Sequence, residues 1–264
     1  MAATPQWGRY AELGPDALAA IVDTTPLAYL SWGALEWHGA HLPFGVDGFI
    51  AEAVCERAAQ RTGGVVLPTT WWPITALPHR FSLSVQSDTV QALWDGIFGA
   101  LAQAQFRVVI VISGHYAQGH ELVLMDAAEH AMTQYHILVL AVPPMALVDE
   151  QMLDHAAHWE TALMQALHPQ LVHLDQLDNP ISPPSVSAIL GKDPHLATPQ
   201  QGESALRLAT ERIIASAQQL LYKGNAQMLH ELYSRRRARY RTYVEQYFRG
   251  SWEEAIQAWW NKQP

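Results

Sequence analysis

Apolar residues along the chain fall into short continuous runs separated by longer stretches with a helical period. The first run, Ala28-Tyr29-Leu30-Ser31-Trp32-Gly33, is followed by a helical pattern from about Phe49 to Gln60 and a second run, Gly64-Val65-Val66-Leu67-Pro68. A further helix is predicted over about Thr89 to Gln103, ahead of Arg107 to Ile112, the strongest strand in the sequence. Another, from about His120 to Thr133, leads into the run His136 to Val142. A last helix starts between His155 and Glu160 and continues to Leu167. This β-α-β-α-β alternation predicts an α/β fold of three layers, α/β/α, around a mainly parallel sheet. In such sheets ligands gather at the carboxyl ends of the strands.

The 264 residues, 49% hydrophobic, suit one large α/β domain over residues 1–220 with a helical C-terminal extension over 221–264. A net charge of −9 argues against a general nucleic-acid binder, which needs surplus clustered Lys and Arg. The single cysteine, Cys55, sits on the apolar side of a helical pattern, so no disulfide can form within one chain. No basic-then-apolar leader and no apolar run of the roughly 20 residues needed to span a bilayer is present. The expectation is a soluble, cytoplasmic protein without membrane contact.

Candidate chemistry concentrates where the first strand ends. Leu35-Glu36-Trp37-His38-Gly39-Ala40-His41-Leu42-Pro43-Phe44-Gly45-Val46-Asp47 brings carboxylate and imidazole donors together, a set suited to zinc or manganese. Glu36 and His38, two residues apart in an extended exit, point the same way. Ser113-Gly114-His115-Tyr116-Ala117-Gln118-Gly119-His120 leaves the strongest strand at the same sheet edge, with Gly114 allowing a sharp turn. Any one of the 13 histidines would by itself read as a packed or surface residue; the convergence of two strand exits points to a site. A third cluster, Asp154-His155-Ala156-Ala157-His158-Trp159-Glu160-Thr161, opens a helix, and a carboxylate in a first turn is also what the helix dipole favours.

The segment Glu36 to Asp47 resembles the creatininase (creatinine amidohydrolase) family signature E-x-H-G-x-H-L-P-x-x-x-D. Ser113-Gly114-His115-Tyr116 is similar to the family's N-G-H segment, and His155 to Thr161 to its H-A-G-x-x-E-T. Gly191 to Thr198, with Gly202 beyond, is similar to the late G-x-P-x-x-A segment, so the likeness spans roughly residues 25 to 220. The resemblance implies a creatininase-like fold and a centre of two divalent ions, zinc or manganese with iron also compatible. In it Asp47 bridges, Glu36 and His115 bind one ion, His38 and Glu160 bind the other, and His155 shuttles protons. A water deprotonated between the ions would attack the carbonyl of a small cyclic amide or related C–N substrate. The family also implies a homo-oligomer, often a hexamer.

The chain departs from creatininase at Ala117, where that enzyme carries a metal-serving glutamate, and at Ser113, Gln118 and His120. These departures keep open a second substrate class, the ring of a keto-cyclitol such as 3-dehydro-scyllo-inosose. A third reading, a non-catalytic homologue, is opposed by the intact Glu36, His38, Asp47, His115 and Glu160. Tyr116, Gln118, His79 and Trp159 flank the proposed ligands and are candidates for substrate contact, although most of the ten tryptophans must be packing residues. His41 is a candidate to orient a ligand from behind, with His120 and His158 candidates for the same role or for ordinary helix positions. The basic run Arg235-Arg236-Arg237-Ala238-Arg239, leading to Trp259-Trp260, is expected to form a charged helix packed on the core or on a neighbouring subunit.

Overall fold

Three apolar runs form adjacent strands of a parallel sheet: β2 (Leu27–Trp32), β4 (Val108–Ser113) and, at its edge, β5 (Leu138–Val142). Every residue of β2 and β4 is buried, as befits strands covered on both faces. The computed structural model describes residues 6–247, without the side chains of Gln118 and residues 242–247. Two short strands, β1 (Trp7–Arg9) and β3 (Gly64–Val66), complete the sheet in the order β1-β3-β2-β4-β5, with every pairing parallel. β1 and the following helix α1 (Pro15–Thr24) were not foreseen from the pattern. A strand of three residues is too short to show a period, and α1 buries only Ile21 and Val22.

The helices α2 (Val46–Thr62), α3 (Ser87–Gln103), α4 (Gln118–Gln134), α5 (His158–Leu167) and the short α6 (Pro184–Ser187) lie near their predicted places or in the loop after them. α2 starts earlier than its apolar period suggests, because Gly45 serves as its N-cap and Asp47 joins its first turn. There the carboxylate also meets the positive end of the helix dipole. α7 (Pro199–Lys223) opens with a capping box between Thr198 and Gln201 and stops at Gly224, which takes a left-handed conformation. It packs on α5 and α2, whereas α3 and α4 pack together, so helices flank the sheet as an α/β/α sandwich.

α8 (Gln227–Tyr247) returns along the open edge of the sheet. Tyr233 donates its hydroxyl to the Val139 carbonyl at 2.6 Å and accepts the Ala141 N–H at 2.9 Å, so it covers part of the free edge of β5. Three arginines of the basic run pair within the chain: Arg236 with Glu121 and Glu150, Arg237 with Asp126 and Glu129, and Arg239 with Glu150. Trp259 and Trp260 lie outside the described residues. No helix among the described residues is long and apolar enough to cross a membrane.

From β2 the chain moves outward to β3, and from β4 it moves the other way to β5. The carboxyl ends of β2 and β4 are therefore the point where the connections diverge, and a crevice opens there by topology alone. Glu36, His38 and Asp47 follow β2, and His115 follows β4.

Candidate metal centre

Glycines bring Asp47 into this crevice. A Cβ on Gly33 would stand 2.4 Å from the Cα and N of Gly48, and one on Gly114 would stand 1.9 Å from the Asp47 carbonyl oxygen. Gly114 lies at a bend, as expected of it, and its lack of a Cβ also permits this close backbone approach. The first turn of α2 can then lie directly on the exits of β2 and β4.

The Asp47 carboxylate faces two imidazoles, with Oδ1 3.1 Å from Nε2 of His38 and Oδ2 3.2 Å from Nδ1 of His115. Glu36 Oε2 lies 2.9 Å from that same Nδ1, and Glu160 Oε2 lies 3.5 Å from Nε2 of His38. The outer nitrogens are committed elsewhere. His38 donates from Nδ1 to the Glu36 carbonyl at 3.0 Å, and His115 donates from Nε2 to the Thr75 carbonyl at 2.7 Å. Each neutral ring therefore turns a lone pair toward carboxylates, an arrangement that is repulsive unless a proton or a cation lies between.

Glu36 Oε2 and Asp47 Oδ2 are buried and take no hydrogen bond, which fits that need. The donor atoms form the close groups Glu36–Asp47–His115, His38–Asp47–Glu160 and Glu36–His38–His155. Asp47 belongs to two of them. Three carboxylates and two or three imidazoles form an oxygen–nitrogen set that suits zinc or manganese.

In the protein alone, protons take the place of cations. Burial works against a charged His38, but Asp47 and Glu160 outweigh it and raise the ring to about 10. His115 is likewise raised well above its ordinary value, with Glu36 and Asp47 overcoming burial. Burial would raise Asp47 and Glu36, yet the facing histidines hold both below the usual carboxylate range. Glu160 moves the other way, to about 8, because burial dominates there and His38 only partly opposes it.

Glu160 is fixed from several sides. Its Oε1 accepts the Tyr116 hydroxyl at 2.8 Å, and its Oε2 accepts the Ala156 N–H at 2.6 Å. Ala156 holds φ at 50°, a left-handed conformation that is strained for a residue with a Cβ. The Asp154 carboxylate accepts the N–H groups of Trp159 and Glu160 at 2.7 and 3.1 Å and so ties down the start of α5. Sequence reasoning gave Asp154 no role, although an acidic residue just ahead of a helix is a capping signal.

His155 stacks on His38 with ring centroids 4.2 Å apart. Its Nε2 donates to the Trp37 carbonyl at 2.9 Å, and its Nδ1 lies 3.9 Å from Glu36 Oε2. Burial lowers its pKa to about 4, helped by His38, so the ring is neutral near pH 7. His41 bonds Thr161 on α5 at 2.9 Å, next to Glu160. His79 is exposed beside Trp37, Phe44 and Phe81. Trp159 is half-buried against His158, and the Gln118 side chain lies outside the described set. His120 is buried, held neutral by desolvation and by His115.

A family model for creatininase, described as creatinine amidohydrolase, matches residues 11–217. The chain belongs to the creatininase family. A creatinine amidohydrolase from Pseudomonas putida is 28% identical to it over 174 residues, spanning 56% of this chain and 67% of that protein. A solved creatininase structure aligns with a TM-score of 0.71 at 22% identity, covering 80% of this chain and 96% of its own. A putative creatinine amidohydrolase from Bacteroides fragilis aligns with a TM-score of 0.65 at 22% identity, over 81% of this chain and 96% of its own. The protein is thus a creatininase-family hydrolase whose crevice carries side-chain groups able to hold metal.

Proposed function

We propose that the chain is a two-metal hydrolase of a small cyclic amide or related C–N compound. Asp47 would bridge two divalent cations, with Glu36 and His115 on one and His38 and Glu160 on the other. The observation that carries this reading is the Asp47 carboxylate, whose two oxygens face the inward nitrogens of two different histidines. Zn-Zn and Mn forms of creatininase among the solved relatives support zinc or manganese as the ions. When bound, such a pair supplies an acidified water and a Lewis acid for the carbonyl.

The protein's own residues handle the proton. His155 is neutral and turns Nδ1 toward the carboxylate cluster while Nε2–H is anchored on Trp37. It accepts a proton at Nδ1 and returns it to the leaving nitrogen, which departs poorly unless protonated. Tyr116 keeps Glu160 aimed inward, so any contact it makes with substrate is tied to that ligand. His79, Trp159 and Gln118 complete the proposed substrate contacts.

Ala117 favours a second substrate class. It occupies the N-cap of α4 and brings no carboxylate to the position where creatininase has a glutamate. Opening the ring of a keto-cyclitol needs no nitrogen protonation and would tolerate that loss. Assembly as a cytoplasmic homo-oligomer, hexameric in the family, belongs to the same proposal. The protein loaded with Zn²⁺ or Mn²⁺ should be assayed on lactams, cyclic ureas, formamides and keto-cyclitols. Turnover of one class that disappears with chelator supports the reading, and turnover that survives metal removal contradicts it.

A further inference from the structure

Glu36 and His115 are both gripped from outside by one stretch of backbone, residues 74–77. Thr75 offers its carbonyl to Nε2 of His115 at 2.7 Å, and Leu77 gives its N–H to Oε1 of Glu36. This strap has no regular secondary structure, so its position depends on where its own backbone groups find partners. One partner is His120 in the first turn of α4, whose Nδ1 accepts the Ile74 N–H at 3.4 Å. His120 is fully buried, lies on Trp32 with ring centroids 3.5 Å apart, and meets the His115 ring edge-on at 4.6 Å.

With Nδ1 accepting, the proton sits on Nε2, which is buried without a hydrogen-bond partner. An unpaired buried donor is destabilising, because the water contacts it gives up are not replaced. A phenyl ring would therefore suit this position better if it had only to fill space. We infer that His120 is a positioning residue: by accepting from Ile74 it sets the strap that orients His115 and Glu36. The inference rests on the metal centre proposed above and names a residue by which this chain departs from creatininase.

The mechanism is specific to one half of the centre. If the strap slips, the Thr75 carbonyl leaves Nε2 of His115, and the tautomer that turns Nδ1 inward is no longer enforced. The His38–Glu160 half is held instead by Tyr116, Ala156 and the Glu36 carbonyl.

Two substitutions separate positioning from packing. His120→Phe keeps a ring on Trp32 and deletes the acceptor, whereas His120→Asn places Oδ1 near the site of Nδ1 and deletes the ring. Metal-free wild type and both variants would be titrated with Mn²⁺ and Zn²⁺ by calorimetry, with thermal unfolding and amide exchange at Ile74 recorded alongside. His120→Phe should unfold no earlier than wild type, exchange faster at Ile74, and weaken one of two binding steps by about 10- to 100-fold while sparing the other. His120→Asn should unfold earlier yet keep both steps. If the phenylalanine does not fit, His120→Leu carries the same expectation for binding and exchange. Wild-type affinities in the Phe or Leu variant, or equal losses in the Asn variant, would overturn the assignment. A wild-type protein that binds neither cation would instead refute the metal centre itself, which keeps the two failures apart.

Discussion

Gly114 and Asp47 meet backbone to backbone: a Cβ on the glycine would stand 1.9 Å from the aspartate carbonyl oxygen. The exit of β4 and the first turn of α2 can share that space only without a side chain. Gly114→Ala should therefore push Asp47 out of the crevice, lowering stability by about 1–3 kcal/mol and weakening divalent-cation binding. Gly96, in α3, has open space around its Cβ position, and Gly96→Ala should raise stability by about 0.5–1 kcal/mol. Denaturant titration and metal binding on both variants check the pair, and a Gly114→Ala protein with wild-type affinity would refute the packing argument.

His155 supplies a proton acceptor and, by this account, no metal bond. His155→Gln can still donate to the Trp37 carbonyl but cannot take up a proton. Metal content should stay unchanged while kcat falls by about 10²- to 10⁴-fold. Full activity on a substrate from the screen would remove His155 from the mechanism.

Metal uptake should release protons. In the metal-free protein His38 titrates near 10 and His115 well above its ordinary value, so both are charged at neutral pH. Cations must displace those protons and the one on Glu160, which burial raises to about 8, so loading at pH 7 should release about three per chain. Affinity should rise with pH from 6 upward and level off only above about 10, where the metal-free His38 loses its proton unaided. Calorimetry in buffers of different ionisation enthalpy measures the number, and a heat independent of buffer would contradict the geometry of His38 and His115.

The parts of this fold that were legible in the sequence are those where burial dictates composition. β2, β4 and β5 are continuous apolar runs because both faces are covered, and the helices between them keep an apolar period. β1 is Trp-Gly-Arg, partly exposed and too short for a pattern, so it left no signal. The start of α2 was hidden because Gly45 and Gly48 read as breakers, whereas close packing on Gly33 and Trp71 requires the second of them.

The candidate donors could be read because their chemistry lies in side chains at two strand exits and one helix start. What holds them was not readable. The 74–77 strap acts through the Thr75 carbonyl and the Leu77 N–H, which every residue carries alike. His120 sits in a helical pattern where a buried and an exposed histidine look the same, and only the fold turns it toward Trp32. The basic run near Arg236 was legible as a charged helix face, but its partners Glu121 and Glu150 are 115 and 86 residues away along the chain.

Metal stoichiometry decides whether Asp47 is shared between two cations. Purified protein loaded with Zn²⁺ or Mn²⁺ and freed of excess should carry about two ions per chain, and Asp47→Ala, which removes the shared carboxylate, should carry close to none. Full retention of both ions by Asp47→Ala, or a wild-type chain that takes up neither metal, would contradict the account.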